Sequence, residues 1–179
     1  MIGFGQPSRR AEFEGAILPH LDAAFSLARF LLRNDQDAED AVQDASLRAF
    51  RFFDSFRGQN SRAWFLRIVR NTAFTALKRA RGHEEDVLFD EELHSPENAE
   101  PAAGAKLDRE FDRDTVRAAI EQLPAEFREV ITLRELEECS YKEIADIAAI
   151  PIGTVMSRLT RARRQLQQIL FAGLTKDPK

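Results

Sequence analysis

Ser140-Tyr141-Lys142-Glu143-Ile144-Ala145-Asp146-Ile147-Ala148-Ala149-Ile150-Pro151-Ile152-Gly153-Thr154-Val155-Met156-Ser157-Arg158-Leu159 contains two helices and the turn that joins them. Ser140 followed by Glu143 is a capping box, in which hydroxyl and carboxylate each satisfy a backbone N–H that the first turn leaves unpaired. The short helix it opens ends near Ala148, Ala149-Ile150-Pro151 forms a tight link, and a longer helix runs from about Pro151 to Phe171. Ile144, Ala145 and Ala148 place small or apolar groups where the two helices cross. Val155, Leu159, Ala162 and Leu166 recur at i, i+4, i+7 and i+11, which predicts a buried stripe. Thr154, Ser157, Arg158, Arg161 and Gln165 fall on the other side. A helix clamped by its apolar face, with Arg, Ser and Thr projecting, fits the major groove of DNA. The plain alternative is an amphipathic helix with a solvated basic face. The capping box, the tight link and the lack of any acid over residues 152–172 count against it. Glycine is common in the link of a helix-turn-helix, and Ala149 stands in that region here.

Helical periodicity also dominates the first eighty residues. One helix is expected from near Ser8 and a second from near Pro19, which suits a first turn because it lacks an N–H. Asn34 and Asp35 offer capping oxygens for a third helix over about 36–53, with an apolar stripe of Val42, Ala45, Ala49 and Phe52/Phe53. Arg57-Gly58-Gln59-Asn60-Ser61 reads as a loop, and Asn60 or Ser61 caps a long fourth helix to about Arg81. Trp64 and Phe65 are read as core, because the apolar groups of that helix need a partner. Residues 82–106 are acidic, contain Pro96 and Pro101, and carry no sustained period. Helical pattern resumes near Leu107 and runs to about Gln122, and Pro124 opens a further helix to about Glu137. The expected fold is all-α: a helical bundle over 8–81, an acidic linker over 82–106, and a helix-turn-helix domain over 107–172.

The formal net charge of −4 argues against a nucleic-acid binder until it is resolved along the chain. Residues 57–81 hold seven Lys/Arg and no acid, residues 83–101 hold eight Asp/Glu and no Lys/Arg, and residues 152–172 hold four Arg and no acid. Two basic blocks flank an acidic one. A single cysteine, Cys139, excludes an internal disulfide framework and suits a reducing, cytoplasmic setting; a buried, inert thiol is expected there. His20, His83 and His94 are too scattered for a zinc cluster, and no phosphate loop or nucleophile–base pair is visible, so neither metal, cofactor nor catalytic residue is expected. No uninterrupted apolar run approaches the roughly 20 residues that cross a bilayer, so membrane insertion is not expected.

Asp37-Ala38-Glu39-Asp40-Ala41-Val42-Gln43-Asp44, then Phe50 and Phe53-Asp54-Ser55-Phe56-Arg57-Gly58, and Ala63-Trp64-Phe65-Leu66-Arg67-Ile68-Val69-Arg70-Asn71 resemble region 2 of extracytoplasmic-function (ECF) sigma factors of the sigma-70 family. Leu123-Pro124-Ala125-Glu126-Phe127-Arg128-Glu129-Val130 and Pro151-Ile152-Gly153-Thr154-Val155-Met156-Ser157-Arg158-Leu159 resemble region 4. The resemblance spans about residues 10–81 and 110–171, and both regions stand in the family's order.

That resemblance implies an alternative sigma factor for transcription initiation in a stress response, not an enzyme. Its implied partners are core RNA polymerase (the β′ and β subunits), promoter DNA and an anti-sigma factor. Asp40, Gln43, Asp44, Leu47 and Arg51 share one stripe of the third helix and would meet a β′ coiled coil. Arg67, Arg70, Lys78 and Arg81 line one side of the fourth helix, where they would neutralise phosphates at the −10 element. Gln59, Asn60 and Ser61 with Asn71 would receive an unstacked base, or the loop residues serve only to cap the helix. Met156, Ser157, Arg158 and Arg161 would face the −35 groove, with Thr154 near phosphate. Many relatives carry a basic residue where Met156 stands, so an apolar contact, such as one to a thymine methyl, would replace it. The acidic linker is either a solvated tether or a strand that threads the polymerase cleft in place of nucleic acid. Two rivals are a dimeric helix-turn-helix regulator, which leaves residues 36–81 without a role, and a sequestering sigma mimic, which would not need Arg158 and Arg161.

Overall fold

The computed structural model of the chain describes residues 8–58, 60–80 and 112–174, and every regular element among them is helical. The chain divides into two compact units, residues 1–76 and 77–179. The acidic linker read from the sequence lies outside the described residues.

In the first unit, α1 (Arg9–Ile17) is capped by Ser8, whose side chain accepts from the Ala11 N–H. A 3-10 turn over Leu18–His20 contains Pro19, and α2 (Leu21–Leu32) follows it. The sequence places a helix start near Pro19. The α-helix instead begins two residues later, because the proline is accommodated in the three-residue turn. By length and composition alone Arg9–Leu32 could cross a membrane. Its Ile17, Ala24, Leu27, Ala28 and Leu31, however, are buried in the core of the unit.

Arg33 in the left-handed region (φ 58°) ends α2, and the Asn34 side chain accepts from Asp37 N–H at 3.0 Å to start α3 (Asp35–Phe52). The buried stripe of α3 differs from expectation. It is Ala38, Ala41, Ala45 and Ala49, while Val42 is half-buried and Phe52 is 56% exposed. The reason is steric: α3 packs against α2, and small side chains let two backbones approach closely.

A 3-10 turn (Phe53–Ser55) leads to α4 (Ser61–Ala80). Phe65 is fully buried, as its reading as core requires. Trp64 is only half-buried and joins an aromatic cluster, with ring centroids 5.0 Å from Phe56 and 6.3 Å from Phe53. Phe13 of α1 extends the cluster edge-on to Phe50 and Phe53. Arg9 fastens α1 there as well, paired with Asp54 at 2.8 Å and lying over the Phe50 ring.

In the second unit, Asp112 caps α5 (Arg113–Glu121). The helical pattern read from Leu107 onward falls partly outside the described residues. The single helix expected from Pro124 to Glu137 is instead α6 (Ala125–Ile131) continued by a π-helical turn over Thr132–Leu136. Arg128 of α6 is buried and donates from Nη1 to the carbonyl oxygen of Leu123, so a cation closes the carbonyl end of α5. Cys139 is a buried free thiol.

The capping box at Ser140 and Glu143 is formed in full, opening α7 (Tyr141–Ala148). Ala149 adopts φ 56°, ψ 45°, a left-handed residue at the site where helix-turn-helix links commonly use glycine. After it α8 (Ile152–Leu174) packs against α5, α6 and α7. Val155, Leu159 and Ala162 are buried as expected, Leu166 is half-buried, and Leu170 continues the stripe.

Two outcomes follow from this packing. Ala149→Gly should raise stability by about 1 kcal/mol in urea unfolding of the full chain, because glycine carries no Cβ penalty at that φ. Ala45→Leu should lower it by about 1–3 kcal/mol, because the α2–α3 seam has no room for three more carbons.

Candidate functional site

On α3, the face opposite the alanine seam carries Asp40, Gln43, Asp44, Leu47 and Arg51, and all five are exposed. Leu47 is 63% exposed between acidic and basic neighbours, and the Asp44–Arg48 ion pair (3.0 Å) borders it. The arrangement follows from helix geometry: filling one face with alanine for the α2 contact sends these residues outward.

On α4, Arg67, Asn71 and Lys78 are exposed along one side. Arg70 is half-buried; its guanidinium lies 4.4 Å from the centroid of Phe74 and Nη1 donates to Asn71 Oδ1 at 3.3 Å. Those contacts fix Arg70 and Asn71 as a unit. At the start of the helix, Asn60 Oδ1 accepts from Ala63 N–H at 2.9 Å, so the amide oxygen is committed to the cap. Ser61 Oγ shares a hydrogen bond with His20 Nε2 at 3.3 Å. This contact joins the 3-10 turn after α1 to the first residue of α4, and sequence spacing of 41 residues hides it. Gln59 and Arg81 lie outside the described residues.

The basic block around α4 is broader than the four residues picked from periodicity. Arg57 and Arg79 are also exposed and Arg62 is half-buried, and the acid-free composition of residues 57–81 is the signal that reveals them. On α8, Met156 is exposed, and Thr154, Ser157, Arg158 and Arg161 are half-buried on the sides flanking the buried stripe. Arg164, one turn beyond Arg161, is exposed and extends that basic side. Arg163 is committed elsewhere, to Glu135 at 2.7 Å. Among the described residues no group of His, Cys, Asp or Glu is placed to hold a metal ion. What these surfaces offer is phosphate neutralisation and base-edge contact from two separate helices, with an acidic–apolar stripe on a third.

The chain resembles known proteins along most of its length. The family described as Sigma-70 region 2 matches residues 16–83, and Sigma-70, region 4 matches residues 113–166. The RNA polymerase sigma-H factor of Pseudomonas aeruginosa is 34% identical over 174 residues, covering 92% of this chain and 89% of that one. The ECF RNA polymerase sigma-E factor of Escherichia coli K12 is 39% identical over 144 residues, covering 73% and 72%. Among solved structures, the sigma factor RpoE in complex with the anti-sigma factor NepR from Bartonella quintana aligns with a TM-score of 0.68 at 32% identity, over 93% of this chain and 99% of that chain. CnrH in complex with the cytosolic domain of CnrY aligns with a TM-score of 0.63 at 26% identity, over 92% and 90%.

The His20–Ser61 contact generates a pH dependence. Burial, and then the charge of Arg62, hold the His20 imidazole below its ordinary value of 6.5. The folded state therefore prefers the neutral ring; the stability this gives is present above pH 6.5 and is lost as pH falls through the folded-state value. The wild-type chain should lose more stability between pH 8 and 5.5 than His20→Gln, which keeps a partner for Ser61 without a titrating charge. Parallel urea denaturation at the two pH values compares them.

Proposed function

The chain belongs to the sigma-70 family, among its extracytoplasmic-function factors, and on that premise we propose how its three surfaces divide the work of initiation. It is a promoter-specificity factor for RNA polymerase and not an enzyme: polymerase does the chemistry while sigma supplies recognition. The proposed division assigns residues 8–81 to polymerase docking and the −10 element, 107–172 to the −35 element, and the acidic segment 82–106 to the connection between them.

In this reading Asp40, Gln43, Asp44, Leu47 and Arg51 form the docking stripe for the β′ subunit. The observation that carries it is the stripe as a whole: Leu47, 63% exposed, sits among Asp40, Gln43, Asp44 and Arg51 on the face of α3 opposite the alanines, an apolar centre with a polar rim of the kind that partners bury. Acidic neighbours suit a partner helix with basic residues and steer its approach. Arg67, Arg70, Lys78 and Arg81 take the phosphates of the −10 region. Asn71, with Gln59, Asn60 and Ser61, lines the place where a flipped base rests. Asn60 Oδ1 already caps α4, so in this reading the loop both starts the helix and borders the flipped base.

Thr154, Met156, Ser157, Arg158 and Arg161 of α8 meet the −35 element in the major groove, with β contacts made by the same unit. The chain as a whole is formally −4, so attraction to DNA comes from the local basic faces and is realised in the holoenzyme. Two structural relatives are held by other proteins, one of them named as an anti-sigma factor. By that likeness we place this chain in the cytoplasm under an anti-sigma factor, released in a stress response.

Run-off transcription with core polymerase on a promoter library tests the whole reading and yields the promoter sequence. Leu47→Arg should weaken binding to core polymerase by ten-fold or more while leaving the unfolding midpoint unchanged. Arg161→Ala should cost about 1–3 kcal/mol of promoter discrimination, roughly 5- to 150-fold, with core binding intact. A purified chain that does not associate with core polymerase would overturn the proposal.

A further inference from the structure

We propose that α8 recognises the −35 element in part through thymine methyl groups, and that Thr160 is a specificity-determining residue alongside Met156. The inference rests on the reading of α8 as the −35 helix. It begins with two hydroxyls. Ser157 Oγ donates to the Thr154 carbonyl oxygen at 3.0 Å, and Thr160 Oγ1 donates to the Met156 carbonyl oxygen at 3.0 Å. A hydroxyl has one hydrogen to give. Here both are given to the helix backbone, and so neither is offered to a base.

For Thr160 the bond also fixes the side chain. With Oγ1 turned back to the preceding turn, the Cγ2 methyl is directed away from that carbonyl. Met156 lies one turn earlier on the same side of α8, and its flexible thioether chain is 51% exposed. Residues at i and i+4 are neighbours on a helix surface, so the two form a small continuous apolar patch. Arg164 borders it on one side and Arg163, paired with Glu135, on the other, and α8 itself carries no acid between residues 152 and 172.

An apolar patch on an otherwise basic helix fits a polyanion that itself carries apolar groups. In the major groove that group is the C5 methyl of thymine, which distinguishes T·A from the other pairs at its edge. The sulfur of Met156 is polarizable and its chain adapts to small differences in register. Thr160 is the stiffer of the pair and sets which step of the element the methyl must occupy.

The test uses holoenzyme assembled from core polymerase and the full chain, on a promoter from the library selection. Each thymine of the −35 element, on either strand, is replaced singly by deoxyuridine, which deletes the methyl and keeps every hydrogen-bonding group. At one or two positions the substitution should lower holoenzyme binding about four-fold, the effect of one methyl leaving contact. Met156→Ala and Thr160→Ser should bring the thymine-to-uracil ratio at those positions to one; Thr160→Ser keeps the back-bonding hydroxyl and removes only the methyl. Thermal unfolding of both variants confirms that they fold. Equal binding to thymine and uracil throughout an element whose scrambling abolishes transcription overturns the inference and leaves the −35 reading standing. So does an element without thymine, or variants that weaken binding equally on both templates, as a protein-facing patch would. If scrambling the element changes nothing, the −35 reading itself falls and the inference with it.

Discussion

A helix can hold arginines toward a polyanion only if its opposite face is fixed, and the packing of apolar faces is the constraint on which this protein depends. On α8, Val155, Leu159, Ala162 and Leu170 are buried against a cradle of three helices. On α3, four alanines are packed against α2. Each contact sets the rotation of a helix about its own axis. That rotation decides which polar residues face outward, and a turn of 100° either way would put a different set on display. Hydrophobic burial is non-directional in itself. It becomes directional here because the apolar residues occupy one stripe.

The two seams achieve this differently. Branched side chains on α8 interlock with neighbours from several directions, which gives one long helix a single seat. Alanines on α3 instead bring two backbones close and leave the long side chains Leu47 and Arg51 nothing to pack against on that helix pair. The small-residue seam leaves Leu47 exposed among charged neighbours. An apolar residue within a charged rim has the composition of many protein docking surfaces.

Polar groups counted as readers of DNA are in several cases already engaged. Asn60 caps α4, Arg70 rests on Phe74 and Asn71, and the hydroxyls of Ser157 and Thr160 are bonded back to α8. Such bonds pre-position what remains, because a side chain with one end held loses less entropy on meeting a ligand. They also change the chemistry presented, from hydroxyl to methyl at Thr160. Residue type alone states what a group can do, whereas local geometry states which of those options is left.

Periodicity and capping chemistry made most of the helices legible from the chain alone. Ser140 with Glu143, Asn34 before Asp37, and the apolar stripe of α8 are local signals, set by residues within one or two turns of each other, so no knowledge of the rest of the fold is needed to read them. The basic blocks and the acidic one between them were equally plain in composition. Tertiary structure alone decided the remainder. Val42 yielded its place in the core to alanines because α2 approaches closely, Arg128 became a buried cap for α5, and the helix after Pro124 widened into a π turn at Thr132. His20 found Ser61 across 41 residues. Each of these outcomes depends on the distance to a second element, and a periodic pattern specifies which face of a helix seeks burial without specifying how near its partner will come.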